Sequence, residues 1–414
     1  MWRAFTEAPG SVRVVLTATT LVLLVFTFTK HRVGANVLSR FITVERLVDA
    51  GSFSHEGSRF PGSVDAVMVD GKIYSSKPPT FTLALALTTW PVRWLTGASV
   101  FEHQRAYLHY LVLVHQVLPY LFVLLMSWRW LVDRGESPWV QSVTLITLSF
   151  ACLPYGYAVT LNNHTPTAIL LFLMWWLSDR IMSGRSSGAA SALTVGLLGG
   201  LAASYELTAG IFTPLFGIVL ATQAFRYGLW VALGAIVASI PMFAIYYGIS
   251  GSVVPFYLQR DLYDFPGGYW RNPTGMDALD DPLWLYAFNA LFGHHGLFAL
   301  SPIVLFGWAG LAWNAKGRDL LSAAVLLGAC IVIGYIVTTT NNYGGRTLGM
   351  RWFTQFAPLF ALGAVPVYRW LEVRSWGRRV VYLCLAISAA AVIEALIQNA
   401  FSPGGWVYGL QRIL

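Results

Sequence analysis

Stretches of about twenty apolar residues recur along nearly the whole chain, and a stretch of that length has one stable home, the hydrocarbon core of a bilayer. The first lies near 13–30, with its apolar run from Val14 to Thr29. Others lie near 79–98, 108–131, 138–158, 165–183, 189–204, 208–224, 227–249, 296–314, 320–339, 353–368 and 380–400. Most connections are short; the two long ones are 31–78 and 250–295. Composition agrees, since 56% of the 414 residues are hydrophobic and only 11% are charged, whereas a soluble domain carries about 25% charge to face water. A soluble enzyme, a coiled coil and a disordered chain are excluded. The chain reads as an all-α polytopic membrane protein, a single transmembrane domain over 1–414 with about eleven or twelve spanning helices. No small-x-small cleavage site precedes Lys30-His31-Arg32, so the first span is expected to stay uncleaved.

The formal net charge of +8 follows from the excess of Lys and Arg in cytoplasmic loops of membrane proteins, and no nucleic-acid partner is expected. If Asn162–His164 face outward, the inner loops carry Arg129, Arg134, Arg180, Arg185, Arg226, Lys316, Arg318, Arg369, Arg374, Arg378 and Arg379, joined by Arg3 and Arg13. After residue 158 the outer side holds only Arg260, Arg271, Arg346, Arg351 and Arg412. One count resists. With the N-terminus inside, loop 31–78 is outside, and three crossings before Asn162 would return it inside. Segment 79–98, with Pro78-Pro79, Pro91 and Arg93, is the one expected to be short, re-entrant or tilted, as backbone under protein or beside a water-filled cavity can be. Cys152, Cys330 and Cys384 lie in apolar runs and read as small core residues.

Polar chemistry gathers on the outer side. In loop 31–78, Val37, Phe41, Val44 and Leu47 repeat at helical spacing, which predicts an amphipathic helix in the interface plane. Asp70-Gly71 predicts a tight turn, whereas Asp65 stands among apolar residues with no such structural reason. Tyr74 and Lys77 follow, and Lys77-Pro78-Pro79 puts a cation at the head of an apolar segment, either as an anchor whose amine reaches the interface or as a phosphate binder. Asn162-Asn163-His164-Thr165-Pro166 opens a span with more polar groups than a helix cap needs. Glu206 sits between two apolar runs, where a carboxylate usually pairs or lines a path. Glu394 lies within a span, with Gln398 and Asn399 one turn on. The second loop mixes Trp270, Arg271 and His294-His295 with five aspartates, Asp261, Asp264, Asp277, Asp280 and Asp281, residue types that bind sugars. His294 and His295 are adjacent and are not expected to face one point on a helix. Finally, Tyr343-Gly344-Gly345-Arg346 and Arg351 put two arginines beside a glycine turn on the outer side, a pattern suited to a phosphate clamp.

The amphipathic first outer loop, the Lys77-Pro78-Pro79 turn and the late Tyr343-Gly344-Gly345-Arg346…Arg351 turn resemble the GT-C membrane glycosyltransferases, above all the protein O-mannosyltransferase and lipid A aminoarabinose transferase group. The resemblance implies a GT-C-like helix bundle, a dolichyl- or undecaprenyl-phosphate-sugar donor, an extracytoplasmic site in the plasma (inner) membrane and an inverting transfer with a carboxylate base in the first outer loop. It puts Lys77 near the donor phosphate. This chain departs from the better-known members, which carry an acidic residue directly after the first helix; here Lys30-His31-Arg32, Asn36 and Arg40 occupy that stretch.

The expected site therefore has Asp65, then Asp70, as base, and Lys77, Arg346 and Arg351 on the donor phosphate. Tyr74, Asn162, Asn163, His164, Glu206, Tyr343 and His294 are expected to line the substrate. No cofactor is indicated with certainty by the residues, and a divalent metal is left open. Partners are membrane lipids, the polyprenyl-phosphate sugar and an acceptor the residues do not name. A lipid-linked oligosaccharide ligase or polymerase would share this one-sided chemistry, whereas a transporter or flippase would favour polar mid-membrane helices and an internal repeat, which is not seen.

Overall fold

The structure is a computed structural model and describes residues 8–29, 33–345, 347–398 and 400. The residues Arg3, Lys30-His31-Arg32, Arg346, Asn399 and Arg412 singled out above lie outside them. Among the described residues, five helices are long and apolar enough to cross a bilayer: α1 (Gly10–Thr29), α4 (Gln104–Asp133), α10 (Phe225–Ser250), α14 (Leu320–Thr339) and α17 (Ser375–Gln398). The other apolar runs form helices that are shorter or less apolar, and some are interrupted. The pair α5 (Pro138–Phe150) and α6 (Leu153–Tyr157) is interrupted just before Pro154, and α15 (Ala357–Gly363) and α16 (Val365–Glu372) are interrupted just before Pro366, where the ring removes a helix hydrogen bond. Between them run α7 (His164–Met182), α8 (Ala189–Tyr205), α9 (Phe212–Ala221), α11 (Leu283–Leu291), α12 (Leu297–Leu300) and α13 (Val304–Lys316). The protein is an all-α polytopic membrane protein.

The first long loop is largely ordered secondary structure. Helix α2 (Ala35–Ala50) buries Val37, Phe41 and Val44, as the spacing predicts, but it also buries every residue from Ser39 to Glu45, so its middle is covered on all sides and not along one stripe alone. A hairpin follows, β1 (Ala66–Val69) paired antiparallel with β2 (Lys72–Ser75), turned by Asp70 at φ 48 and Gly71 at φ 75, the positive angles that a two-residue turn of this kind requires. Val67 and Val69 pack with Met242 and Tyr246 of α10 and with Phe256. Ser39 fastens the hairpin to α2, donating to the Asp65 carbonyl at 2.6 Å and meeting the Ser75 hydroxyl at 2.7 Å.

Helix α3 (Pro79–Thr96) is not among the helices long and apolar enough to cross a bilayer. Its start follows the hairpin, and its end returns to the same loop: Arg93 pairs with Asp49 of α2 at 3.0 Å, and Arg59 of the loop reaches Glu102 just beyond at 3.0 Å. Exposed Leu87, Trp90, Trp94 and Leu95 suit an interfacial helix.

Helices α8 and α10 approach closely. A Cβ at Gly196 or Gly200 would strike the backbone at Val231 or Ala235, and one at Gly234 would strike the backbone at Leu193 and Leu197. Small residues at this spacing let backbones touch in lipid, where burial from water no longer drives helices together. At the basic end of the bundle, Arg134 pairs with Asp179 at 2.6 Å and Arg369 with Glu136 at 3.3 Å. The opposite end carries the hairpin, α2 and the start of α7.

Candidate active site

Five segments far apart in sequence converge at that opposite end. From the last residue before β1, Asp65 is 5% exposed and binds the Lys77 ammonium at 2.9 Å. Trp270, from the second long loop, donates its indole N–H to the same Oδ1 at 3.1 Å. Burial raises the Asp65 pKa, but attraction and hydrogen bonding from Lys77, then Arg351 and Trp270, hold it below the ordinary carboxylate value. Burial lowers that of Lys77, against the pull of Asp65.

A second polar chain runs alongside. Arg40 of α2 is fully buried. Its guanidinium bonds Asn36 one turn back and donates to Asn163 Oδ1 at 3.0 Å. Asn163 Nδ2 donates to Glu206 Oε2 at 2.8 Å and to the Tyr205 carbonyl at 2.9 Å. The same Oε2 lies 3.0 Å from His164 Nδ1. Burial raises the Glu206 pKa, yet His164, Arg351 and Asn163 bring it below its usual value. Burial pulls Arg40 down to about 10, with Asp65 and Glu206 opposing, so it is still charged at neutral pH. Arg351, at the turn before α15, acts electrostatically on Asp65, Lys77, Arg40, His164 and Glu206. Among the described residues the centre therefore brings the cations Arg40, Lys77 and Arg351 together with the carboxylates Asp65 and Glu206.

The residues singled out from sequence separate into groups. Asp65, Lys77, Asn163, His164, Glu206 and Arg351 come together. Tyr74 lines a narrow cleft beside Lys77, Thr82 and Tyr246. Asp70 does not join them; it sits exposed at the far end of the hairpin, where its φ serves the turn. Asn162 is spent on local structure: its amide donates to Gln116 Oε1 and to the carbonyls of Tyr157 and Thr160, and its oxygen accepts from Thr165 N–H at 2.8 Å. Tyr343 has both ring faces covered, stacked on His295 at 4.7 Å and on Tyr286 at 4.9 Å, with its hydroxyl donating to Asp281 at 2.9 Å. His294 meets the edge of that stack, and its Nδ1 lies 2.6 Å from Nδ1 of His295. The two imidazoles do converge, because 293–296 is a turn rather than a helix. This stack braces the turn that carries Arg351: a side chain at Gly344 (φ 81) would press on Arg351 at 3.1 Å. Among the described residues, no group of three or more His, Cys, Asp or Glu is arranged to hold a metal ion.

Arg40 and Trp270 were not among the residues expected in the site. Periodicity did not single out Arg40, because α2 buries every residue from Ser39 to Glu45. Trp270 was noted only as one of the second loop's sugar-binding residue types; 205 residues separate it from Asp65, and only the folding of the second loop closes that gap.

The fold matches solved structures. ArnT from Cupriavidus metallidurans bound to undecaprenyl phosphate aligns with a TM-score of 0.55 at 14% identity over 90% of this chain and 63% of that one. The apo form of that ArnT gives 0.56 at 12% identity over 95% and 76%. The archaeal oligosaccharyltransferase AglB from Archaeoglobus fulgidus, in complex with an inhibitory peptide and a dolichol-phosphate, gives 0.54 at 14% identity over 95% and 56%. The chain has a GT-C-like fold. It thus spans less than two thirds of the ligand-bound ArnT and AglB chains that it matches. No protein-family model matches it, and neither does any curated protein.

The role of Asn162 gives a first prediction. Asn162→Ala removes the acceptor for the first turn of α7 and should destabilise the protein by about 1–2 kcal/mol, read as a lowered Tm in detergent.

Proposed function

We propose that this protein transfers a sugar from a polyprenyl-phosphate-linked donor to an acceptor hydroxyl of a lipid, glycan or protein, with inversion at the anomeric carbon. One observation carries the reading: Arg40, Lys77 and Arg351 gather with Asp65 and Glu206 at one end of the bundle. A sugar phosphodiester is an anion that such cations can hold, and as the sugar–phosphate bond breaks, charge grows on its phosphate. The fold supports the donor class, because ArnT and AglB with the same fold have been solved with undecaprenyl phosphate and dolichol-phosphate. The positive-inside distribution puts the basic end, with Arg134, Arg180 and Arg369, in the cytoplasm, and the site on the extracytoplasmic face of the plasma membrane. Lys77, Arg40 and Arg351 hold the leaving phosphate. The acceptor proton goes to a side chain of the same centre, where Asp65, Glu206 and His164 are at hand.

The test is incubation of purified protein in liposomes with radiolabelled undecaprenyl- and dolichyl-phosphate sugars and a membrane extract as acceptor source. The expected result is a labelled product and stoichiometric release of polyprenyl phosphate. Turnover only with pyrophosphate-linked oligosaccharides would support a ligase or polymerase instead. Movement of intact donor across the bilayer without bond cleavage would support a transporter.

A further inference from the structure

We propose that Asn163 is a positioning residue: its amide stands between Arg40 and Glu206 and keeps the guanidinium from closing on the carboxylate, so that the charge of Arg40 serves the donor's phosphate. The inference rests on the reading of this centre as a donor-phosphate site and names what keeps one of its cations available.

A helix-cap role does not account for the side chain. Asn163 stands at the N-cap of α7 yet makes no side-chain capping bond there; its neighbour Asn162 supplies the acceptor for Thr165 N–H instead. Both ends of the Asn163 amide go to tertiary contacts. Oδ1 accepts from Arg40 Nη2 at 3.0 Å, and Nδ2 donates to Glu206 Oε2 at 2.8 Å and to the Tyr205 carbonyl at 2.9 Å. Helix α2, the start of α7 and the turn after α8 thus meet through one carboxamide.

Arg40 is fully buried. Among the described residues, every hydrogen bond of its guanidinium goes to a neutral oxygen: the Asn36 side chain and carbonyl, and Asn163 Oδ1. Lys77 differs, since it touches Asp65 at 2.9 Å. Opposite charges free to approach in a low-dielectric interior attract strongly, and arginine meets a carboxylate as a two-pronged pair. Such a pair would draw the guanidinium to Glu206 and neutralise it. An amide placed between them bonds both and cancels neither charge.

The charge counts at the cleft beside Lys77. Thr43, one turn on from Arg40, lines that cleft with Lys77 and Tyr246. Arg40 acts electrostatically on both Lys77 and Tyr246. The guanidinium therefore stands behind the cleft wall and adds a second positive field where Lys77 meets an anion.

The experiment measures the affinity of the full-length protein in nanodiscs for undecaprenyl phosphate and for dolichyl phosphate, with Tm as a folding control. Asn163→Ala removes the spacer and should weaken binding by about 10–100-fold, the range seen when an outer partner that orients a ligating group is removed. Asn163→Asp keeps the size but sets a carboxylate on Arg40 itself, and should weaken binding at least as much; it carries the test should Asn163→Ala not fold. Glu206→Gln, having lost a nearby negative charge, should bind no more weakly than the wild type. Asn163→Ala combined with Glu206→Gln leaves no carboxylate there to capture Arg40, and most of the lost affinity should return. A merely structural role predicts the reverse, because the double variant has lost more buried bonds. Unchanged affinity in both Asn163 variants, or a loss in Asn163→Ala that Glu206→Gln does not relieve, would overturn the inference. Wild-type protein that binds neither lipid phosphate would remove the donor reading and this role with it, whereas binding without transfer from any sugar-bearing donor would remove the transfer reading alone.

Discussion

Lys77→Met is expected to reduce glycosyl transfer by about 10²–10³-fold, the size of effect seen when one preorganised charge-stabilising group is removed from an active site. The loss should also reach stability. Lys77 is the counter-charge of Asp65 at 2.9 Å, and leaving a carboxylate buried without it costs about 3–5 kcal/mol. These two consequences separate in a double substitution. Lys77→Met with Asp65→Asn removes both charges and should recover most of the lost Tm, because an uncompensated charge no longer sits in the interior. Transfer should stay low, since the phosphate still lacks its ammonium. Thermal unfolding and the transfer assay on the two single variants and the double variant complete the cycle. Equal recovery of stability and activity would mean that Lys77 serves the fold alone.

The second large effect concerns the α8–α10 contact. Gly196→Val and Gly234→Val each force a side chain against backbone of the facing helix, which cannot yield as the far end of a side chain can. Overpacking of an ordinary core costs about 1–3 kcal/mol, and a clash with backbone should exceed that, enough to unfold the protein in mild detergent. Gly248→Val is the matched control: it lies on the same helix, α10, and a side chain there meets no atom within 4 Å. Size-exclusion profiles and Tm should separate the two classes. A well-behaved, wild-type-like Gly196→Val would show that α8 and α10 are not held by backbone contact.

The outline of the site was legible in particular residues. Asp65 stood out because an acid among Val64, Ala66 and Val67 has no solvent to face, and Lys77 because Pro78-Pro79 starts the next helix directly after it. Asn163, His164 and Glu206 drew notice as polar groups at the ends of spans, where each is costly unless paired. What could not be read was which polar residue pairs with which. Asn162 and Asn163 are neighbours with the same side chain, yet one caps a helix and the other joins Arg40 to Glu206; the difference lies in what the third dimension brings opposite each. Tyr343 was expected to line the substrate, and its ring stacks on Tyr286 and His295, contacts across a long separation that local pattern does not encode. Helix α3 was ambiguous for a similar reason. Its apolar residues suggested a possible crossing, whereas in the structure it falls outside the helices apolar enough to span and pairs with the first loop through Arg93–Asp49, with Arg59–Glu102 just beyond its end.

The amino-acid order by itself determined that this chain lives in a bilayer and that Ala35–Ala50 forms a helix burying Val37, Phe41 and Val44, since these depend on composition and on periodicity within a few turns. Only the tertiary structure decided that Arg40 belongs to the site, that Trp270 reaches Asp65, and that His164 faces Glu206. Charges in low dielectric are governed by the nearest opposite charge, and here that partner comes from segments tens to hundreds of residues away.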